Sequence, residues 1–190
     1  MRKTTLAVIA AALALAGCGP LGKVEQGRVI AYDRQARQVT LILEAPAGTP
    51  PSPSPGVLPA VTIEAPTDPS EMGPAPVAGG LMLVDAKNRR IVVYDRATQS
   101  FRTIQYTPLE ERHNVPKSPG PPVVDRPKKA ITIYAAKDRS VITFAASDDL
   151  LAMPTDTWRA GDVVRYYYRD PAQALRLMNV TRTDLSKAAG

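Results

Sequence analysis

An all-β body is the expectation for this chain: antiparallel, built from hairpins, barrel-like or sandwich-like, with long proline-rich loops and a few short helical turns. Three observations carry it. Short runs rich in β-branched and aromatic residues recur through the sequence. No stretch has the apolar spacing of an amphipathic helix of three turns. The 19 prolines are clustered where neither a helix nor a central strand would form.

In chain order the runs are Val29 to Tyr32, Val39 to Leu43, Leu81 to Val84, Ile91 to Tyr94, Phe101 to Tyr106, Ile131 to Tyr134, Val141 to Phe144, Val163 to Tyr168 and Leu175 to Val180. A device joins several of them. Tyr32-Asp33-Arg34, Tyr94-Asp95-Arg96 and, more loosely, Tyr134 with Asp138-Arg139 each end an apolar run. Each tyrosine is followed seven residues later by Val39, Phe101 or Val141. Strand, polar turn, strand accounts for this: aspartate satisfies turn amides while the flanking apolar residues pair across a hairpin. A thrice-repeated binding code is the alternative.

Two segments read as short helical turns. Thr107-Pro108-Leu109-Glu110 has the form of a capping box with proline at the first helical position, closed by Asn114 and Pro116. Ser147 before Asp148 and Asp149 reads as an N-cap followed by carboxylates favoured by the helix dipole, with Pro154 as the stop.

The N-terminus is an export signal. Arg2 and Lys3 precede the apolar stretch Leu6 to Ala16, which is shorter than the roughly 20 residues needed to span a bilayer. It ends in Leu15-Ala16-Gly17-Cys18, and with these four residues the chain resembles bacterial lipoproteins, whose lipobox closes on a cysteine that carries the lipid. The resemblance implies a signal peptide over 1–17, cleavage before Cys18, a lipidated tether over 18–23 and a single domain over 24–190. Gly19 is not the aspartate that favours inner-membrane retention in the lipoproteins it resembles, which implies the periplasmic face of the outer membrane. Ordinary secretion is the alternative, since Ala14-Leu15-Ala16 also has a small-x-small pattern. From Gly19 to Lys23 the tether reaches roughly 17 Å at full extension, so the body sits close to the headgroups.

Charge is unevenly distributed. Removing Arg2 and Lys3 lowers the formal charge from +6 to +4. From Gln38 to Ala86 there is no lysine or arginine, while Glu44, Glu64, Asp68, Glu71 and Asp85 are acidic. Ten prolines fall between Pro46 and Pro76, so 46–80 reads as an exposed, semi-rigid acidic insertion, with Val57, Leu58, Val61 and Ile63 able to add one edge strand. Deleting Pro46 to Pro76 is then expected to leave the thermal midpoint within a few degrees. A second proline cluster marks a loop over 114–128. The basic remainder suits lipid headgroups, cell-wall polymer or another envelope protein. Export makes nucleic acid a poor partner.

The residues offer little chemistry. With one cysteine and one histidine the chain has no clustered-cysteine or multi-histidine metal site and no evident catalytic triad. No cofactor is implied. His113 reads as an exposed loop histidine, and Asp148, Asp149, Asp156 and Asp162 read as turn residues. An envelope hydrolase would need acids converging from distant loops.

The most informative body segment is Thr157 to Tyr168. Its Gly161-Asp162 turn enters an alternating strand and resembles the closing strands of small OB-like and SH3-like barrels; Gly27 to Asp33 with Val39 to Leu41 resembles their opening hairpin. The whole is similar to a small, uncharacterised envelope lipoprotein family. Alternation puts Tyr166 and Tyr168 on one face and Tyr167 on the other. Either Tyr166 and Tyr168 stack on sugar rings beside Trp158, Arg165 and Arg169, giving a carbohydrate- or peptidoglycan-binding barrel, or these rings fill a core with only two phenylalanines.

Overall fold

The structure is a computed structural model that describes residues 22–43 and 60–183. It is all-β and antiparallel, with three sheets and no closed barrel among the described residues. The first sheet takes its strands from both ends of the described chain. These are β1 (Lys23–Asp33), β2 (Gln38–Leu43), β3 (Val61–Glu64), β11 (Val163–Tyr168) and β12 (Ala174–Asn179), in the order β12-β11-β1-β2-β3. Its edges curl until Glu64 meets Gln173 through one isolated bridge, where the Glu64 amide donates to the Ala172 carbonyl at 2.8 Å. One bridge is a touching point and not a closed ladder.

Two meanders lie between these strands in sequence. The first comprises β4 (Leu81–Asp85), β5 (Arg90–Asp95) and β6 (Ser100–Gln105). The second contains β7 (Pro108–Arg112), β8 (Val123–Asp125), β9 (Ala130–Ala135) and β10 (Ser140–Ala145), in the order β7-β10-β9-β8. β4, β5 and β6 repeat as β8, β9 and β10 at a constant offset: Asp85 corresponds to Asp125, Ile91 to Ile131, Val93 to Ile133, Tyr94 to Tyr134 and Ile104 to Phe144. Even the closing bonds correspond, Tyr106 N–H to the Arg89 carbonyl and Ala146 N–H to that of Lys129.

The tyrosine device is a hairpin at all three positions. Tyr32 faces Val39, Tyr94 faces Phe101 and Tyr134 faces Val141. Aspartate does the expected work: Asp33 Oδ1 accepts from the amides of Gln35 and Ala36 at 2.8 and 2.9 Å, and Asp95 Oδ1 from Ala97 at 2.9 Å. Asp85 and Asp125 do the same for Asn88 and Lys128. Each four-residue loop closes on a left-handed residue, Arg37, Arg89, Gln99, Lys129 or Arg139, with φ of 54°, 51°, 51°, 47° and 49°. That conformation turns the chain back into the sheet without glycine, and in four of the five loops, all but the one ending at Arg139, the aspartate bonds offset its cost.

The two meanders enclose one core, in which Ile91, Val93 and Ile104 meet Ile131, Ile133 and Phe144 around Trp158, with Leu150 and Leu151 of the helix α1 (Asp148–Leu151). The concave face of the first sheet holds a second core of Val29, Val39, Leu41, Ile63, Val164, Tyr166, Tyr168 and Leu177. Ile30 and Ile42 on its opposite face pack on Tyr94, linking the bodies and leaving β5 buried on both sides.

Both passages between the bodies run through one crossing. Gly79 N–H donates to the Val29 carbonyl at 3.0 Å, and Val29 N–H to the Asp162 carbonyl at 2.9 Å. A methyl group on Gly161 would lie 1.9 Å from the Val29 oxygen, and one on Gly79 would lie 2.3 Å from the Arg159 oxygen. Gly161-Asp162 is therefore a close crossing of three backbones and not the tight turn that the barrel resemblance implies.

Three expectations are corrected. Thr107 to Glu110 opens no helical turn: Pro108–Arg112 is a strand on the edge of β10. A capping box contributes only about 1 kcal/mol, and pairing with the open edge of β10 outweighs it. The loop over 114–128 contains β8. Most consequentially, 60–80 is not an exposed insertion. β3 is the expected edge strand, yet Ile63 and Ala65 are buried in the core, Pro66 and Pro76 are buried, and Met72 bridges Leu177. The segment 46–59 lies outside the described residues.

Ile63→Ala should therefore lower the unfolding free energy by about 2–4 kcal/mol in urea denaturation. Deletion of 46–76, which removes β3, should abolish the cooperative transition instead of sparing it.

Candidate functional site

The predicted binding residues do not assemble. Trp158 is wholly buried, 5.7 Å from the Phe144 ring centre, in the core between the meanders. Tyr166 and Tyr168 are buried on the inner face of the first sheet, stacked at 5.3 Å, and their hydroxyls donate to Glu25 Oε2 and Oε1 at 2.6 and 2.9 Å. None offers a free ring face to a sugar. Burial first, then the Glu25 carboxylate, raises both tyrosines above their ordinary range. Arg169 is exposed beyond the end of β11, and Arg165 is exposed on its outer face.

The four acids likewise go separate ways. Asp148 pairs with Lys129 and Asp156 with Arg96. Asp149 accepts from Ser147 and Arg102, and these bonds hold its carboxyl down at about 2. Ser147 stands at the N-cap of α1 as expected, but its hydroxyl serves Asp149 instead of a helix amide. Asp162 is buried, and its Oδ2 accepts from the Val77 amide at 2.9 Å, Asn179 Nδ2 at 2.9 Å and Arg182 Nε at 2.7 Å. It is a structural clamp. Among the described residues no three metal-ligating side chains cluster.

One contact has the outline of a triad. His113 Nδ1 lies 3.0 Å from Ser140 Oγ, and its Nε2 lies 3.9 Å from Glu111. Ser140, however, is 1% exposed and donates its proton to the Asp138 carbonyl at 2.9 Å, so the hydroxyl neither meets solvent nor hands its proton to the imidazole. His113 itself is exposed, as expected.

A groove of about 660 Å³ lies on the outer face of β1, β11 and β12. Register builds it. Val24, Tyr167 and Arg176 lie side by side across the three strands, with Gln26, Arg165 and Met178 in the next row. A bulge between Tyr167 and Tyr168 leaves Leu175 without a cross-strand partner, and both Leu175 and Arg176 are exposed. Glu71, from the 3-10 turn Pro69–Glu71, takes Arg176 in a two-pronged ion pair, Nε to Oε2 at 2.5 Å and Nη2 to Oε1 at 3.1 Å. The pair lowers the carboxyl and raises the guanidinium from their usual values. Arg165 donates to Gln26 Oε1.

Of the predicted set, Arg165 and the buried Tyr166 line this groove, and the aromatic ring that the sequence does not single out as a site residue, Tyr167, lines it from the outer face. Phase was the available signal. Val164 alternates with Tyr166 and Tyr168, marking the core face, whereas Arg165, Tyr167 and Arg169 share the other.

Fold and groove define an all-β protein with an aromatic and cationic outer face on its terminal sheet. A family model described as a domain of unknown function (DUF4881) matches residues 20–188, and the chain belongs to that family. No curated protein and no solved structure matches it.

Two outcomes are expected. Asp162→Ala strands the Asn179 amide and the Arg182 guanidinium and should cost about 2–4 kcal/mol by denaturant titration. In a spectrophotometric titration, Tyr106, which burial and Glu111 push up to about 12, should remain largely protonated at pH 11, and Tyr166 and Tyr168, raised by burial and Glu25, should ionise above the ordinary tyrosine value, so these three of the seven tyrosines titrate late in the folded protein. Their raised values contribute stability below the unfolded tyrosine value near pH 10, and that contribution is lost as pH rises above it.

Proposed function

We propose that this protein is a lipid-anchored module of the bacterial envelope, attached through Cys18, facing the periplasm and acting by binding or structural support and not by catalysis. The outer membrane is the favoured site, with Gly19 following the lipidated residue. The observation that carries the reading is the distance between the lipobox and the body. Strand β1 begins at Lys23, five residues after Cys18, and runs down the centre of the first sheet between β11 and β2. An anchor at Cys18 is thus joined to a central strand of the sheet by a short leash. No helix among the described residues is long and apolar enough to cross a membrane. Engagement of Asp148, Asp149, Asp156 and Asp162 by separate basic partners speaks against the hydrolase alternative. Burial of Tyr166, Tyr168 and Trp158 speaks against sugar stacking on those rings.

Cells fed labelled palmitate should incorporate it into the wild-type protein and not into Cys18→Ser, which should move to the soluble periplasmic fraction. Equal label in both proteins ends the anchor reading.

A further inference from the structure

We propose that the outer face of β1, β11 and β12 rests on an anionic phospholipid surface, so that the body lies on the bilayer in one orientation. The inference builds on the anchor reading and adds a surface to it. Val24 and Leu175, 60% and 41% exposed, border the same groove, with Tyr167 and Met178 between them. Leu109 and Val123, also exposed, stand instead on the two edge strands of the second meander. Aliphatic side chains around a tyrosine, edged by arginines, are the composition that partitions into a headgroup region: the apolar atoms leave water while the guanidiniums meet phosphate.

Position selects the occupant. The described chain begins at Gly22, whose backbone lies against the Tyr167 ring; a methyl group added there would be 2.2 Å from Tyr167 Cε2. Cys18 is four residues earlier in the sequence, a length that reaches about 14 Å at most. A lipid on Cys18 therefore holds the groove within headgroup range, where a weak surface affinity is multiplied by effective concentration. Charge agrees. Arg165 faces the groove, Lys23 and Arg169 are exposed near its ends, and Arg176 is offset by Glu71. Asp170 in the neighbouring turn is engaged by the Ala172 amide.

The chain from Cys18 onward, coupled through its only thiol to a maleimide phospholipid, tests this in vesicles with and without phosphatidylglycerol. Hydroxyl-radical footprinting should show labelling of Tyr167, Leu175 and Met178 falling at least about threefold on phosphatidylglycerol vesicles, with Leu109 and Val123 unchanged. Arg165→Glu should restore most of the labelling. Labelling of Tyr167, Leu175 and Met178 that is unchanged by phosphatidylglycerol vesicles, as for Leu109 and Val123, overturns the proposal. So does equal protection on pure phosphatidylcholine, or protection by soluble glycerol phosphate or cell-wall glycan without vesicles. The palmitate experiment reads separately: protection without cellular label sinks the anchor alone, and label without protection sinks the seating face alone.

Discussion

The Asp162 carboxylate and the three backbones that cross beside it hold the two bodies of this protein together. The chain leaves the first sheet through 73–80 and returns through 155–162, and both passages converge there. Asp162 N–H donates to the Val77 carbonyl at 2.8 Å while its side chain accepts from Val77, Asn179 and Arg182. Asn179, fully buried, extends the clamp to the Pro74 carbonyl at 3.2 Å. A buried carboxylate is tolerated only when its oxygens are well partnered. The partners here come from two separate stretches of chain, one at Val77 and one at Asn179 and Arg182, so the same satisfaction fixes their placement against Asp162.

The glycines at this junction set its tightness. Gly161 and Gly79 approach neighbouring backbone so closely that no side chain fits, and Val29, paired with Leu41 just before a bulge in β1, turns its amide and carbonyl toward them. Everything on the first sheet then follows in register. Val164, Tyr166 and Tyr168 face its core, and Arg165 and Tyr167 face outward. The outer groove is the reverse side of the same alternation that buries the tyrosine pair.

Much of the body was legible in the sequence because hairpins are local. All nine runs are strands, and Tyr32, Tyr94 and Tyr134 each pair with the residue seven places on, since a four-residue loop closing on a left-handed residue fixes its own register, with an aspartate cap after Tyr32 and Tyr94. What was misread depended on distant partners. Pro108–Arg112 looks helical until the free edge of β10 is present. The proline-rich stretch looks expendable until Ile63 is seen in a core formed by strands from both ends of the chain.

Sequence alone determined nine of the strands, the hairpins at Tyr32, Tyr94 and Tyr134 and the all-β class, because each is written in residues close together. Where Trp158 goes, whether acids converge and what the first sheet packs on its two faces were decided by tertiary structure. Those outcomes turn on which face of a strand meets another sheet, and on a crossing in which residues more than 80 positions apart, such as Val77 and Asp162, share hydrogen bonds. Local propensity carries no information about partners at that separation.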